Sequence, residues 1–314
     1  MTCLLSAPGA KPQMTLNMPR HAEADGSITH LTTQDGCSFD VQVFAGPVNA
    51  CRTVLCFPAM GVPGRYYQML ASALRDSGNN VVVGELRGVG SHSLRASHSV
   101  DWGYETMVLQ EWPAVIELAR SKFPNTKLCF LGHSIGGQIS SLYLSTHPEV
   151  SDELILVASS SMGYRNFERG GYRFLAVTHA IAAFTQIAGI WPGEFTGLMG
   201  RQAKQEMLDW ARNARTGQYH LGAEKVDYES RFANFRGRIL AISIDNDGHT
   251  PWPTVASLVR KFVNADRRHI RLANIQLPDG VIGHINWPRY PERIVPGINR
   301  WLAGDTVPDI IQSD

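Results

Sequence analysis

Two segments near the start of the chain, Ile28 to Thr33 and Ser38 to Phe44, flank Asp35-Gly36. A dipeptide that tolerates positive φ between two strand-like runs predicts an antiparallel hairpin. Alternation then stops. Val54 to Phe57, Val81 to Val83, Leu128 to Leu131 and Leu154 to Val157 are continuous apolar runs, the pattern of strands covered on both faces, and they predict a parallel sheet. Between them, helical stretches at roughly Arg65 to Ser77, Tyr104 to Phe123 and Ile135 to Thr146 are long enough for right-handed crossovers. From Gly163 to Arg236 helical periodicity persists with no strand of the core type, which predicts an inserted helical cap. The core resumes with the strand Ile239 to Ile244, a helix near Thr254 to Asn264, the strand Ile270 to Leu277 and a closing helix near Glu292 to Leu302. The expected organisation is an α/β core over 27–162 and 237–304, a cap over 163–236, and tails over 1–26 and 305–314. The sheet is expected to be mostly parallel, with an N-terminal antiparallel hairpin and helices on both faces.

Composition narrows the function classes. The 314 residues are 44% hydrophobic, enough for a sizeable core, and 18% charged, below the roughly 25% of ordinary soluble domains. Lys plus Arg number 29 against 28 Asp plus Glu, and no basic cluster exceeds Arg267-Arg268. Nucleic acid is therefore not an expected partner, because neutralising a phosphate backbone needs a basic face. The five cysteines lack metal-ligand spacing, and Cys56 and Cys129 sit in apolar runs, so a reducing, cytoplasmic setting is expected. No secretory leader is expected either, since Pro8, Lys11, Pro12, Pro19 and Arg20 interrupt the first 26 residues. Phe174 to Gly193 carries no Asp, Glu, Lys or Arg, but Thr178, His179, Thr185, Gln186, Gly189 and Pro192 make it too polar for a stable membrane span. An apolar cap helix is the expectation there. No metal site and no cofactor are expected: the histidines are not paired, and no G-x-G-x-x-G follows a strand.

The strongest chemical signal is Gly132-His133-Ser134-Ile135-Gly136, a G-x-S-x-G between an apolar strand and a helical run. A serine in such a strand-to-helix turn takes a strained backbone conformation that lifts its Oγ clear of the sheet. The helix behind it offers free N–H groups to a developing oxyanion. Ser134 is thereby a candidate nucleophile, and it needs a base that is itself oriented by a third group. His284, in the glycine-bearing loop Gly280 to His284 after the last strand, is the candidate base. Asp245 and Asp247, just after the strand Ile239 to Ile244, both stand where an orienting acid belongs. His133 beside the nucleophile is expected to pack rather than titrate, and His249 is too close in sequence to Asp247 to bridge that acid to Ser134.

Taken together, these residues resemble the α/β-hydrolase superfamily over roughly residues 28 to 303. The chain order Ser, Asp, His is the order of that superfamily. Glu85 to Ser91 looks like its acidic-x-Arg-Gly-x-Gly-x-Ser loop, followed by Asp101-Trp102-Gly103. The resemblance implies Asp247 as the acid, because it places that residue four positions before the loop proline, Pro251. It gives Arg87 a structural role in tying loops together. It also implies an oxyanion hole from the backbone N–H groups of Met60 and Ile135, with Pro58-Ala59 standing where many members carry His-Gly. Pro58-Ala59-Met60-Gly61 and Ser243 to Pro251 look like a little-characterised branch of predicted hydrolases. The expected activity is hydrolysis of a small-molecule ester or thioester through an acyl-enzyme on Ser134. The apolar cap residues Phe174, Leu175, Phe184, Ile187, Ile190, Trp191, Phe195 and Leu198 point to a hydrophobic acyl or aromatic substrate, with Phe184 and Trp191 as candidate lining residues. Two alternatives share the scaffold: an acyltransferase or carbon–carbon bond hydrolase using the same triad, and a ligand-binding protein without catalysis.

Overall fold

The computed structural model describes residues 26–196, 199–221, 226–245, 247–273, 276–277, 280–307 and 310–311. Apart from Gly26, the expected N-terminal tail lies outside the described residues, as does Leu198. In chain order the elements open with β1 (Ser27–Thr32), β2 (Ser38–Phe44), β3 (Arg52–Phe57), α1 (Gln68–Asp76) and β4 (Asn80–Val83). There follow α2 (Tyr104–Leu109), α3 (Glu111–Lys122), β5 (Lys127–His133), α4 (Ile135–Thr146) and β6 (Glu153–Val157). Between β6 and the next strand of the main sheet come α5 (Gly171–Ala188), β7 (Ile190–Pro192), α6 (Gly193–Thr196), β8 (Arg201–Ala203), α7 (Lys204–Thr216) and α8 (Tyr228–Arg231). The chain closes with β9 (Arg238–Ile244), α9 (Trp252–Val259), β10 (Asp266–Leu272), β11 (Gln276–Leu277), β12 (Gly280–Val281), α10 (Val295–Ala303) and β13 (Ile310–Ile311).

Nine strands form one sheet in the order β1-β2-β4-β3-β5-β6-β9-β10-β13. β1 and β2 pair antiparallel and β2 meets β4 antiparallel, while every pairing from β4 to β13 is parallel. The continuous apolar runs have the cause proposed for them. In β3 and β5, Leu55, Phe57, Leu128 and Phe130 face one core layer, and Val54, Cys56, Cys129 and Leu131 face the other. Phe57 stacks on Trp112 at 4.0 Å in the first layer. The order of the strands reverses at β3: β4 lies on one side of it and β5 on the other. Such a reversal opens a crevice at the carboxyl ends of the strands, and here the loops after β3 and β5 meet in it.

Four expectations are corrected. The single helix expected from Tyr104 to Phe123 is two, α2 and α3, broken at Gln110 (φ −119°, ψ −68°). Pro113 explains the break, since it has no N–H to donate and its ring crowds the carbonyl four residues back, at Leu109. The strand expected at Ile270 to Leu277 starts earlier and ends sooner: β10 opens on Asp266-Arg267-Arg268, exposed residues near the sheet's edge, and Gln276-Leu277 pairs instead with Gly280-Val281. Trp252 to Val259 replaces the helix expected near Thr254 to Asn264, starting directly after Pro251. Finally, Ile310-Ile311, expected in a tail, pairs parallel with Arg271-Leu272. No helix of the described residues is long and apolar enough to cross a membrane, and the four described cysteines are free thiols.

Candidate active site

Ser134 stands at the end of β5 as the residue before α4, with φ 53° and ψ −119°. This left-handed φ in a non-glycine residue costs about 1–3 kcal/mol, which the surrounding contacts must hold in place. Both neighbouring glycines are required by close approach. A Cβ on Gly132 would lie 2.2 Å from the Gly137 Cα, and one on Gly136 would lie 2.4 Å from the Phe57 carbonyl oxygen. The Ser134 N–H donates to the Val157 carbonyl at 3.0 Å, and the Ser134 carbonyl accepts from the Gly137 and Gln138 amides at 3.1 Å each. The Oγ is left free to point into the crevice.

His284 Nε2 lies 3.1 Å from Ser134 Oγ, and its Nδ1 lies 2.7 Å from Asp247 Oδ2. The imidazole is 10% exposed and the Asp247 side chain fully buried. Burial by itself raises the Asp247 pKa, but hydrogen bonds from His249, His284 and Thr250 outweigh it and hold the carboxyl well below the usual carboxylate range. Specifically, Oδ1 accepts from the His249 and Thr250 amides at 2.8 and 3.2 Å, and Oδ2 accepts from the Thr250 hydroxyl at 2.5 Å. Asp245, the competing acid, instead faces the Arg271 guanidinium at 3.3 Å. An ionised carboxylate that accepts the Nδ1 proton leaves Nε2 as an acceptor for the serine hydroxyl, the arrangement needed to activate an alcohol as a nucleophile.

A hydrolase family model described as serine aminopeptidase, S33, matches residues 49–184. The sequence matches no curated protein. Among solved structures, the DcsB complex with its substrate analogue is similar with a TM-score of 0.63 at 11% identity, over 90% of this chain and 100% of that one. Est1E from Butyrivibrio proteoclasticus with ferulic acid bound gives 0.59 at 14%, over 88% and 98%. The thioesterase domain from the curacin biosynthetic pathway gives 0.54 at 16%, over 88% and 99%. These likenesses, with the sheet order above, show that the chain has the α/β-hydrolase fold.

Within this fold the remaining sequence candidates fall as follows. The turn carrying Met60 runs over the Ser134 turn, since the Phe57 and Pro58 carbonyls both crowd Gly136. Ile135 occupies the first position of α4, where a helix leaves its N–H without an intrahelical acceptor. Arg87 touches none of Ser134, His284 and Asp247. It donates to Glu111 at 2.7 Å and Asp35 at 2.6 Å, joining the hairpin turn, the loop after β4 and α3. Phe184 and Trp191 pack edge-to-face on each other at 5.9 Å, with Phe184 48% exposed on α5.

His133 is fully buried, and burial, followed by the nearness of His284, pulls its pKa well below 6.5. The Ala59 N–H donates to the Tyr67 hydroxyl at 2.9 Å, and that hydroxyl shares a 2.6 Å hydrogen bond with His133 Nδ1. Its ring packs against His284 at 5.2 Å, while His249 stacks on His284 at 5.1 Å.

Two residues, Thr250 and Ser159, escaped sequence reasoning. Thr250 braces the Asp247 carboxylate, and the Asx-turn spacing Asp247 to Thr250 was the available signal. His249 supplies an amide and a stacked ring rather than a bridge. Ser159 Oγ lies 2.9 Å from the Ser134 carbonyl and 3.1 Å from the Gly132 carbonyl, clamping the strained turn from β6. Ala158, with φ 47°, turns the chain so that Ser159 reaches it. The run Ser159-Ser160-Ser161 directly after an apolar strand was the only hint.

Proposed function

We propose that the chain is a serine hydrolase that cleaves an ester or thioester of a hydrophobic acyl or aromatic substrate. The observation that carries this reading is the continuous hydrogen-bonded path Ser134 Oγ, His284, Asp247 at 3.1 and 2.7 Å. Ser134 Oγ attacks the carbonyl carbon as its proton passes to His284 Nε2. The negative charge on the carbonyl oxygen is met by the Met60 and Ile135 N–H groups. Collapse of the tetrahedral intermediate expels the alcohol or thiol, which takes the proton from His284. Water, deprotonated by His284, then attacks the acyl-enzyme, releases the acid and restores Ser134. Asp247 stays ionised throughout, holding the imidazole and stabilising its charged form.

The segment from Gly163 to Arg236 serves in this reading as a cap. Its support is the approach of the Met199 carbonyl to Gly61, so close that a Cβ there would lie 2.4 Å from it. This contact puts the segment against the turn that carries Met60. The free thiols support a reducing, cytoplasmic setting. A fluorophosphonate probe tests the nucleophile: labelling of the folded chain that vanishes in Ser134→Ala supports the reading, and an unlabelled wild-type protein overturns it. Turnover of p-nitrophenyl esters and acyl-CoAs, with and without added alcohols or thiols, then separates hydrolysis from acyl transfer.

A further inference from the structure

α5, in the segment between β6 and β9, exposes one side, and its polarity is inverted for a surface helix. Its inner side packs on α7, with Phe174 edge-on to Trp210 at 5.8 Å and Thr178, Ile181, Ala182 and Thr185 buried. The outer side should be charged. Instead, Tyr172, Ala176, Ala180, Ala183 and Ile187 recur at helical spacing along one exposed line, with Val177 and Phe184 beside it. Ile187 is 88% exposed, Tyr172 79%, and Phe195, just beyond the helix, 81%. After Arg173 the helix carries no charged residue at all.

We infer that this face lies on a membrane surface containing anionic lipid. Three observations select a lipid surface over a second copy of the chain. First, the exposed groups make a ragged rather than a close-packed surface: Ile187 and Phe195 protrude at 88% and 81% exposure, while Tyr172 and Phe184 lean on single neighbouring rings. A fluid acyl phase accepts such protruding groups, whereas a protein–protein interface needs a matched, close-packed surface. Second, charge is placed at one end: residues 165–173 hold Arg165, Arg169 and Arg173 against Glu168 alone. All four are exposed. Third, aromatic rings accompany the arginines. Tyr164 and Tyr172 pack at 5.3 Å, and the Arg165 guanidinium lies 4.8 Å over the Tyr164 ring. Amphipathic rings with basic groups belong at headgroup depth, and bare aliphatic and phenyl groups belong just below it.

With 18 residues, α5 is about 27 Å long, and it lies along the surface rather than through it. This inference rests on the exposed face alone and stands or falls separately from the nucleophile. It adds to the proposed function a source for a hydrophobic ester: the lipid phase on which the cap rests.

Co-sedimentation of the full chain with vesicles tests it, using phosphatidylcholine alone and phosphatidylcholine mixed with phosphatidylglycerol. The wild type should pellet with the mixed vesicles, less with phosphatidylcholine, and less as salt rises. Replacing Phe184 and Ile187 together by Ser should weaken binding by about tenfold or more. Arg169→Gln and Arg173→Gln should each weaken it about fivefold and flatten the salt dependence. Ser134→Ala should bind like the wild type, so loss of catalysis and loss of binding are read apart. All these positions except Ser134 are exposed, and solubility with unchanged hydrolysis of a short soluble ester confirms the fold of the surface variants. The inference is overturned by a wild type that pellets with neither vesicle. It is equally overturned by binding that survives the Phe184/Ile187 double substitution, or by a dimer in sedimentation velocity that the same substitution dissociates without any vesicle binding.

Discussion

Asp247 and Glu206 are buried to nearly the same degree, and they titrate in opposite directions. Asp247, in the crevice, receives two amides, a threonine hydroxyl and an imidazole N–H, and is held far below its ordinary pKa. Glu206, on α7 where that helix meets the core, receives the Trp102 indole N–H at 3.1 Å. Burial, aided by the nearby acids Asp209 and Asp101, raises it to about 8 despite the Trp102 bond. Asp209, one turn on, is likewise raised by burial to about 6, although Gln205 and the Tyr104 amide bond to it. Burial does not decide the charge of a carboxyl group; the number and charge of the donors facing it do. The crevice keeps a working anion, and the α7 contact keeps a neutral acid that ties the segment between β6 and β9 to the Trp102–Tyr104 loop.

The largest expected effect isolates the crevice from everything around it. Ser134→Ala should lower kcat by on the order of 10⁶ while leaving thermal stability and the α7 contact unchanged. Activity at even a tenth of wild type, measured on a p-nitrophenyl ester, would show that the crevice is not where the chemistry occurs.

Next in size is the choice between the two acids after β9. Asp247→Asn should cost about 10⁴ in kcat, because an amide there favours the wrong imidazole tautomer, whereas Asp245→Asn should cost little, since that carboxylate only faces Arg271. Similar small losses at both positions would place the orienting group elsewhere.

Glu206→Gln sharpens the other side of the comparison. The folded pKa of about 8 stands above the reference value of 4.5, so the folded state holds this proton more tightly. Its stabilising contribution is complete below pH about 4.5 and is lost as pH rises through about 8. Glutamine imitates the protonated acid, so the variant should be more stable than wild type near neutral pH, by on the order of a few kcal/mol, and should keep only the smaller decline that Asp209, raised from 3.8 to about 6, contributes. Asp247 contributes with the opposite sign: its stabilisation is present above the reference value of 3.8 and is lost only in strong acid. Urea unfolding at a series of pH values reads both. Parallel curves for wild type and Glu206→Gln would mean that Glu206 is already ionised in the folded protein.

The smallest effect concerns substrate size. Each added methylene in the acyl chain should raise kcat/KM by up to about 0.8 kcal/mol, roughly fourfold, until the pocket is full. Because Phe184 is on the outer side of α5, Phe184→Ala should leave that plateau where it is. A profile that is flat from acetyl to octanoyl would point to recognition through polar groups, and a plateau moved by Phe184→Ala would bring α5 inward.

Reading the chain located the strands and the sharp turn at Ser134 because both depend on local demands. A strand covered on both faces needs an unbroken apolar run, and a serine at positive φ between a strand and a helix needs glycines two residues to either side. The start of β10 escaped because Asp266, Arg267 and Arg268 lie exposed near the edge of the sheet, where polarity is free to vary. The division of Tyr104 to Phe123 into α2 and α3 was written in Pro113 and overridden by the apolar periodicity around it.

What the sequence determined by itself was the layered α/β architecture and the strained strand-to-helix turn at Ser134, whose motif is contiguous. It narrowed the base and the acid to single loops, but the assignment of Asp247 over Asp245 needed the resemblance to a known superfamily. Tertiary structure alone decided which carboxylate His284 meets, that Ser159 and Thr250 brace the turn and the acid, and that Phe184 faces outward. The physical reason is range. Backbone strain, capping and burial on two faces act over a few residues and leave a mark in their spacing. The distance between Ser134 and His284, 150 residues apart in the chain, is set by the packing of strands β5, β6, β9 and β10.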